Sequence, residues 1–234
     1  MPPVTVLYVH GLESGPGGTK ARNLASAGFN LVATQMPCNH GAMLRDPWFP
    51  GVLLVGVALV AGLSWFGGPL GCVLGVGVAV YTRGPVVAHW VYRAFERSVA
   101  VQVNMLARHE VGAVVGSSFG GAVALALLQR GHWKGPTVLL CPAHNLIADR
   151  ARRVRPVSLA GLDASRVVVV HGQQDTTVKP VDSRALVAGS GARLVEVQDD
   201  HRLTVHATPD NLRGWVEMAC RGVALPGPLA GFDL

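Results

Sequence analysis

The residues best suited to chemistry lie in three separate stretches. The first is Val114-Val115-Gly116-Ser117-Ser118-Phe119-Gly120-Gly121, a G-x-S-x-G pattern between an apolar run and a small-residue run. Its glycines permit a sharp turn from strand into helix, which would lift the Ser118 hydroxyl above a sheet edge as a nucleophile. Ser117 would point away and pack beneath the turn. The second stretch, His171-Gly172-Gln173-Gln174-Asp175, offers an acid just past an apolar run. The third, Asp199-Asp200-His201-Arg202-Leu203, offers a base just past another. A serine hydroxyl attacks poorly unless a base takes its proton and a third group orients that base. Both partners have rivals: Asp199 or Asp200 for Asp175, and His206 for His201.

Strands and helices must alternate to bring these stretches together. Val4–Val9, Phe29–Thr34, Val111–Gly116, Thr137–Leu140, Arg166–His171 and Arg193–Val197 read as short apolar strands bounded by Gly, Pro or Asp. Helices are predicted near Thr19–Ala27, with Thr19 as N-cap, and over Gly120–Gln129, Val181–Ala188 and Pro209–Arg221. A further helix is predicted over Pro85–His109, where Val87, Val91, Phe95, Val99 and Val103 recur every four residues. Such alternation predicts an α/β fold, with a mostly parallel sheet covered by helices on both faces.

The order Ser, Asp, His is that of the α/β-hydrolases, and further residues carry the same resemblance. Tyr8-Val9-His10-Gly11-Leu12 ends the first strand and looks like the H-G-x oxyanion loop of that superfamily. Together with Lys20-Ala21 and Gly116-Ser117-Ser118-Phe119-Gly120-Gly121, it is similar to the small bacterial serine esterase-like branch, which lacks the first two strands of the full fold. The match covers most of the chain outside residues 41–84. The resemblance implies that Ser118 attacks an acyl carbonyl, that His201 relays the proton, and that Asp175, after the penultimate strand, fixes the histidine tautomer. It also implies an oxyanion hole made by the backbone N–H groups of Leu12 and Phe119, with His10, Gly11, Gly116 and Gly120 shaping the loops. The expected activity is cleavage of a carboxylic ester, or of a thioester, with an apolar acyl part, through an acyl-enzyme. Acyl transfer on the same triad and a non-catalytic membrane-associated binding protein are the alternatives.

No cofactor or metal is expected. His89, His144 and His171 read as structural histidines, and no His/Cys/Asp spacing suggests a metal site. Gly15-Pro16-Gly17-Gly18-Thr19-Lys20 looks superficially like a phosphate loop, but lacks its G-K-[ST] order and four-residue spacer. Cys38, Cys72, Cys141 and Cys220 are far apart and read as reduced thiols.

One segment departs from the family pattern. From Pro47 to Thr82 the chain runs 36 residues without a charge, bounded by Asp46 and Arg83. Gly51–Leu63 and Cys72–Tyr81 read as apolar arms joined by a turn at Ser64–Pro69, a hydrophobic helical hairpin inserted at 41–84 between catalytic segments 1–40 and 85–222. Residues 223–234 read as an irregular tail. An odd number of membrane crossings would put His10-Gly11 and Ser118 on opposite sides of a bilayer. The insert is therefore expected to be a monotopic or re-entrant hairpin, a two-span hairpin, a cap over the serine, or a dimer interface. Gly67, Gly71 and Gly75, spaced by four, would let the arms approach closely.

The insert accounts for only part of an unusual composition: charged residues are 15% of the chain, against about 25% in ordinary domains, with a mean hydropathy of +0.35, and the 198 residues outside 47–82 still carry only 34 charges. So apolar a chain is not disordered. Its net charge of +6 is not the dense basic face of a nucleic-acid binder, and fits a membrane surface contacted through 47–82. With no basic leader before the first strand, the protein is expected to be cytoplasmic, not secreted, and peripheral or monotopic on the inner face of the membrane.

Overall fold

The computed structural model describes residues 3–12, 14–46, 48–152 and 158–222. Six strands, β1 (Thr5–Val9), β2 (Asn30–Ala33), β3 (Ala113–Ser117), β4 (Thr137–Leu140), β5 (Val167–Gly172) and β6 (Arg193–Val197), form one sheet in the order β2-β1-β3-β4-β5-β6. Every neighbouring pair is parallel. Strands β3, β4 and β5 are buried along their whole length, which is why they read as unbroken Val, Leu and Ala rather than as an alternating pattern.

Helices cover both faces. On one side α1 (Thr19–Ser26) and α7 (Pro209–Arg221) pack Ala21, Leu24, Leu212, Trp215 and Val216 against Val6, Tyr8, Val115, Val168 and Val170. On the other, α3 (Trp48–Arg108), α4 (Phe119–Gln129), α5 (His144–Ala151) and α6 (Pro180–Val187) enclose Leu7, Val9, Val114, Leu139 and Val169. Phe95 and Val99 of the predicted four-residue stripe are buried here, and Val91 and Val103 pack against them. Helix α7 shows local signals acting together: Thr208 accepts a bond from the Asn211 N–H at 3.3 Å, Pro209 fills the first turn, and Gly222 follows at φ 75°.

Several expectations need correction. Thr19 is the first helical residue of α1 and not its cap; Gly18 occupies the cap with no side-chain bond. Two short helices were not anticipated, the six-residue α2 (His40–Arg45) and α5, which starts directly after Pro142-Ala143 with no side-chain cap. The largest difference is in the insert. Instead of two short arms and a separate helix beginning at Pro85, residues 48–108 form one helical stretch whose non-helical residue is Gly68, at φ 54° and ψ −140°. Gly84 does not take a positive φ, so nothing at Arg83–Pro85 separates the insert from the core helix.

At Gly68 the chain folds back. A Cβ on Gly75 would lie 3.2 Å from the Val60 Cα, and one on Gly71 would lie 1.8 Å from the Leu63 carbonyl oxygen. These residues could not meet along an uninterrupted helix, which rises about 1.5 Å per residue. At the other end Asp46 accepts a bond from Arg97 Nη1 at 2.6 Å and lies 3.5 Å from Arg93 Nε. The start of the first arm is thereby tied to the level of Phe95 on the second. Pro47, Arg153, Arg155 and the expected tail 223–234 lie outside the described residues.

Candidate active site

The site forms where the strand order reverses. From β1 the chain moves to β2 on one side and then to β3 on the other, leaving a crevice above the carboxyl ends of β1 and β3. Gly11, just past β1, meets the nucleophile turn there: a Cβ on it would lie 3.4 Å from both the Ser117 carbonyl oxygen and the Ser118 Cβ. His10 is fully buried and shapes this loop. Its Nδ1–H donates to the Gly11 carbonyl at 2.7 Å, and its Nε2 accepts the Met36 N–H at 3.1 Å. Both bonds suit a neutral imidazole, and desolvation by burial lowers its pKa, against the opposing bond to Gly11.

Ser118 sits between β3 and α4 at φ 55° and ψ −115°, a conformation costing on the order of 1–3 kcal/mol that the surroundings must enforce. The two flanking glycines show how. A Cβ on Gly116 would lie 2.6 Å from the Gly120 carbonyl oxygen, and one on Gly120 would lie 2.0 Å from that of Val9. Only bare backbone fits, so helix α4 can start directly under the end of β1. The Ser118 N–H donates to Leu140 at 2.8 Å. Phe119 opens α4, where N–H groups have no acceptor within the helix. Leu12 follows Gly11, whose Cβ position lies beside Ser118.

The three separated stretches meet. The Ser118 hydroxyl lies 2.8 Å from His201 Nε2, and His201 Nδ1 lies 2.6 Å from Asp175 Oδ2. The Asp175 side chain is fully buried, while that of His201 is 20% exposed. Burial would raise the Asp175 carboxyl, but bonds from His171, His201 and the Val178 N–H outweigh it and hold the group well below the usual carboxylate range. The rivals fall elsewhere. Asp199 accepts from the N–H groups of Asp200, Val205 and His206 and lies 3.1 Å from His206 Nδ1, so this pair ties the loop that carries His201. Asp200 accepts from the Arg202 N–H in the same loop.

No protein-family model matches the chain, and no curated protein matches it. Solved structures do. Mouse alpha/beta hydrolase domain-containing protein 10 superposes with a TM-score of 0.59 at 12% identity, covering 91% of this chain and 88% of that one. Est1E from Butyrivibrio proteoclasticus gives 0.54 at 14% identity, covering 92% and 85%. The Pyrococcus furiosus esterase Pf2001 gives 0.54 at 14%, covering 94% and 84%. The chain has the α/β-hydrolase fold.

Around this α/β-hydrolase elbow the structure reveals support that residue patterns did not announce. His171 is fully buried; its Nε2–H is directed at the Val178 carbonyl (2.9 Å) and Asp175 Oδ2 (3.2 Å), while its Nδ1 accepts from the Ser183 hydroxyl at 2.6 Å. Asp175 Oδ1 takes the N–H groups of Thr177 and Val178, each at 2.8 Å. The acid is thus held from three directions. Lys20 reaches beneath the elbow and donates to the Ser117 hydroxyl at 3.1 Å. Desolvation lowers its pKa, opposed by Cys141, Asp199, Asp200 and Asp175. Burial pushes the Tyr8 hydroxyl, beside Ser117 and Ser14, up to about 12.

Cys141 ends β4 at φ 44°, with a buried thiol pushed up to about 12, first by burial and further by the neighbouring Asp175. Its sulfur, an Asp175 oxygen and a His201 nitrogen lie within 4.8 Å of one another, a group that could hold a metal ion in space though not by sequence spacing. The two non-thiol members are already bonded to each other in the Ser118–His201–Asp175 chain, so the donor set does not fit a resident metal. Lys20 had one visible signal, its place in the stretch resembling the family. Cys141 and His171 had only their positions at strand ends.

Proposed function

We propose that the protein is a serine hydrolase that cleaves carboxylic esters, and thioesters by the same chemistry, whose acyl part is apolar. The observation carrying this reading is the continuous relay from Ser118 Oγ through His201 to Asp175, at 2.8 and 2.6 Å. As the hydroxyl attacks the acyl carbonyl, its proton passes to His201 Nε2 and the carbonyl electrons move to oxygen. The imidazolium is then held by ionised Asp175, which the bonds from His171, Thr177 and Val178 keep oriented. The oxyanion is met by the N–H groups of Leu12 and Phe119, whose interaction strengthens only as charge develops; losing one such donor typically costs about 10²–10³ in rate. Collapse returns the proton from His201 to the leaving alkoxide or thiolate and leaves an acyl-Ser118. Water, deprotonated by His201, releases the acid. A fold that had lost turnover would have no need to keep these groups in register.

The apolar acyl preference rests on position, because the uncharged insert leaves the fold on the side where the Ser118 crevice opens. A series of p-nitrophenyl esters tests both parts. A burst of p-nitrophenol close to one per enzyme is expected, with kcat/KM rising from acetate to longer chains. Cleavage confined to acetate would remove the acyl preference, and absence of turnover on the whole series would remove the hydrolase.

A further inference from the structure

Among the described residues, nothing covers the surface of the insert. Helix α3 is long and apolar enough to cross a membrane by length and composition, and none of its most apolar window is buried. The exposed side chains point all round the two arms: Leu53, Leu54, Val55, Val57 and Leu59 on one, Val73, Leu74, Val76, Val78 and Val80 on the other. At the turn Trp65 is 87% and Phe66 91% exposed. A second copy of the chain would cover one side of such a rod and leave the opposite side in water. A helix apolar on every face needs an apolar medium around it.

The direction of the rod follows from the fold. Residues 69–108 run back from the carboxyl edge of the sheet, because they lead into parallel strand β3. Phe95 meets Phe119, the residue after Ser118, ring edge to ring face at 6.3 Å. Positions before Phe95 therefore rise away from the sheet on the side of the Ser118 crevice. Contact with the rest of the protein continues up to Gly84, where the Arg152 guanidinium lies 3.5 Å from the Cβ position, at the end of α5. From Gly84 to the fold-back at Gly68 the rod extends about 24 Å at 1.5 Å per residue, short of a hydrocarbon core of about 30 Å. At its base stand the exposed side chains of Arg45, Arg83, Arg150 and Arg152, with Asp149 among them, while Asp46 is already paired with Arg93 and Arg97.

We propose that the folded-back apolar insert enters an anionic lipid bilayer from one face and returns to it, holding the carboxyl edge of the sheet, with Ser118, against the membrane surface. The arginine collar lies at headgroup level, as positive residues do on the cytoplasmic side. The glycines at 71 and 75 let the arms close on each other, so that lipid meets only their outer faces. Substrate would then reach Ser118 from the bilayer surface.

The test uses the full chain with vesicles of phosphatidylethanolamine and phosphatidylglycerol, read by flotation rather than by turnover, so its result is independent of the hydrolase reading. Wild type should float with the vesicles, and exposed Cys72 should become protected from a polar maleimide. Leu54→Asp/Val73→Asp places charge at exposed positions that no packing requires. It should leave the melting temperature unchanged and cut the vesicle-bound fraction at least tenfold. In a Cys72→Ser/Cys220→Ser background, a fluorophore at Val205→Cys, in the His201 loop, should transfer energy to labelled lipid more strongly than one at Lys134→Cys, at the opposite edge of the sheet. Failure of the wild type to float overturns the proposal. So does Cys72 protection that follows protein concentration without lipid, which would make the occupant a second copy. Equal transfer from the two fluorophores overturns the orientation.

Discussion

The elbow and the insert are built from similar residues, glycine and small aliphatics, and behave in opposite ways. Around Ser118, glycine is required because backbone from β1 and α4 comes too close for any Cβ. Polar groups there are bonded in chains: Lys20 to Ser117, His10 to Met36, His171 to Asp175. In the outer part of α3, Gly51, Gly56, Gly62, Gly67 and Gly77 have no atom within 4 Å of a Cβ position. Leucine and valine there face outward. One composition yields a rigid, desolvated centre in one place and a surface awaiting its medium in the other. What separates them is whether the chain around supplies partners.

The sharpest way to probe the bonded side is to remove a charge without changing shape. Asp175→Asn should keep the fold, because an amide oxygen can still accept from Thr177 and Val178. It should reduce kcat by roughly 10⁴ through the wrong histidine tautomer; ester turnover measured beside a circular dichroism spectrum checks this. A loss below tenfold would mean that Asp175 does not orient His201.

The next contrast is chemical. A thiol pushed from 9.0 to about 12 holds roughly 10³ less thiolate than an ordinary one at neutral pH. In the lipid-free protein Cys72 should therefore react with iodoacetamide far ahead of Cys141, followed by peptide mass spectrometry. Equal rates would show that the centre opens as readily as the insert.

Glycine replacement compares the two regions directly. Gly120→Ala forces a methyl into the Val9 carbonyl and should cost about 1–3 kcal/mol or more of stability. Gly56→Ala, in open space within α3, should cost nothing, and by helix propensity should gain up to about 1 kcal/mol. Thermal unfolding of the two variants gives the answer, and a comparable loss in both would erase the distinction.

The last contrast is in pH dependence. Cys141, Tyr8 and Cys38 have folded pKa values raised to about 12, 12 and 11. The folded state keeps protons that the unfolded chain releases from about pH 9 at the cysteines and about pH 10 at Tyr8, so stability falls as pH rises from there to each folded value, by about 1.4 kcal/mol per pH unit within each group's window. Asp175 acts in the other direction: its lowered pKa contributes stability above the unfolded carboxylate value, near 3.9, which is lost as pH falls below it. Melting temperatures from pH 8 to 11 should decline less steeply in Cys141→Ala than in wild type.

How much of this could be read from the chain follows the same division. Strands β3, β4 and β5 were legible because runs buried on both faces leave a continuous apolar signal. The half-buried β2 and β6 were legible from short apolar runs alone, and Ser118, Asp175 and His201 because each follows a strand. His201 is preferred over His206 because it follows the strand directly, and the structure adds the reason His206 stands aside: Asp199 ties it back. The bond from Lys20 to Ser117 and the place of Cys141 beside Asp175 stayed hidden because these partners are distant in sequence, whereas His171, read as a structural histidine, bonds within its own loop and the helix after it. In the insert, lack of charge gave its extent and the Gly- and Pro-containing break at Ser64–Pro69 gave the reversal found at Gly68, but a helix running on through Arg83-Gly84-Pro85 has no period to betray it.

The most direct measurement is covalent labelling of wild type by a fluorophosphonate, with the modified peptide identified by mass. The adduct should fall on Ser118, be absent in Ser118→Ala, and form at least a hundredfold more slowly in His201→Ala. Labelling that persists in Ser118→Ala, or that is indifferent to His201, would contradict the relay from which the function is inferred.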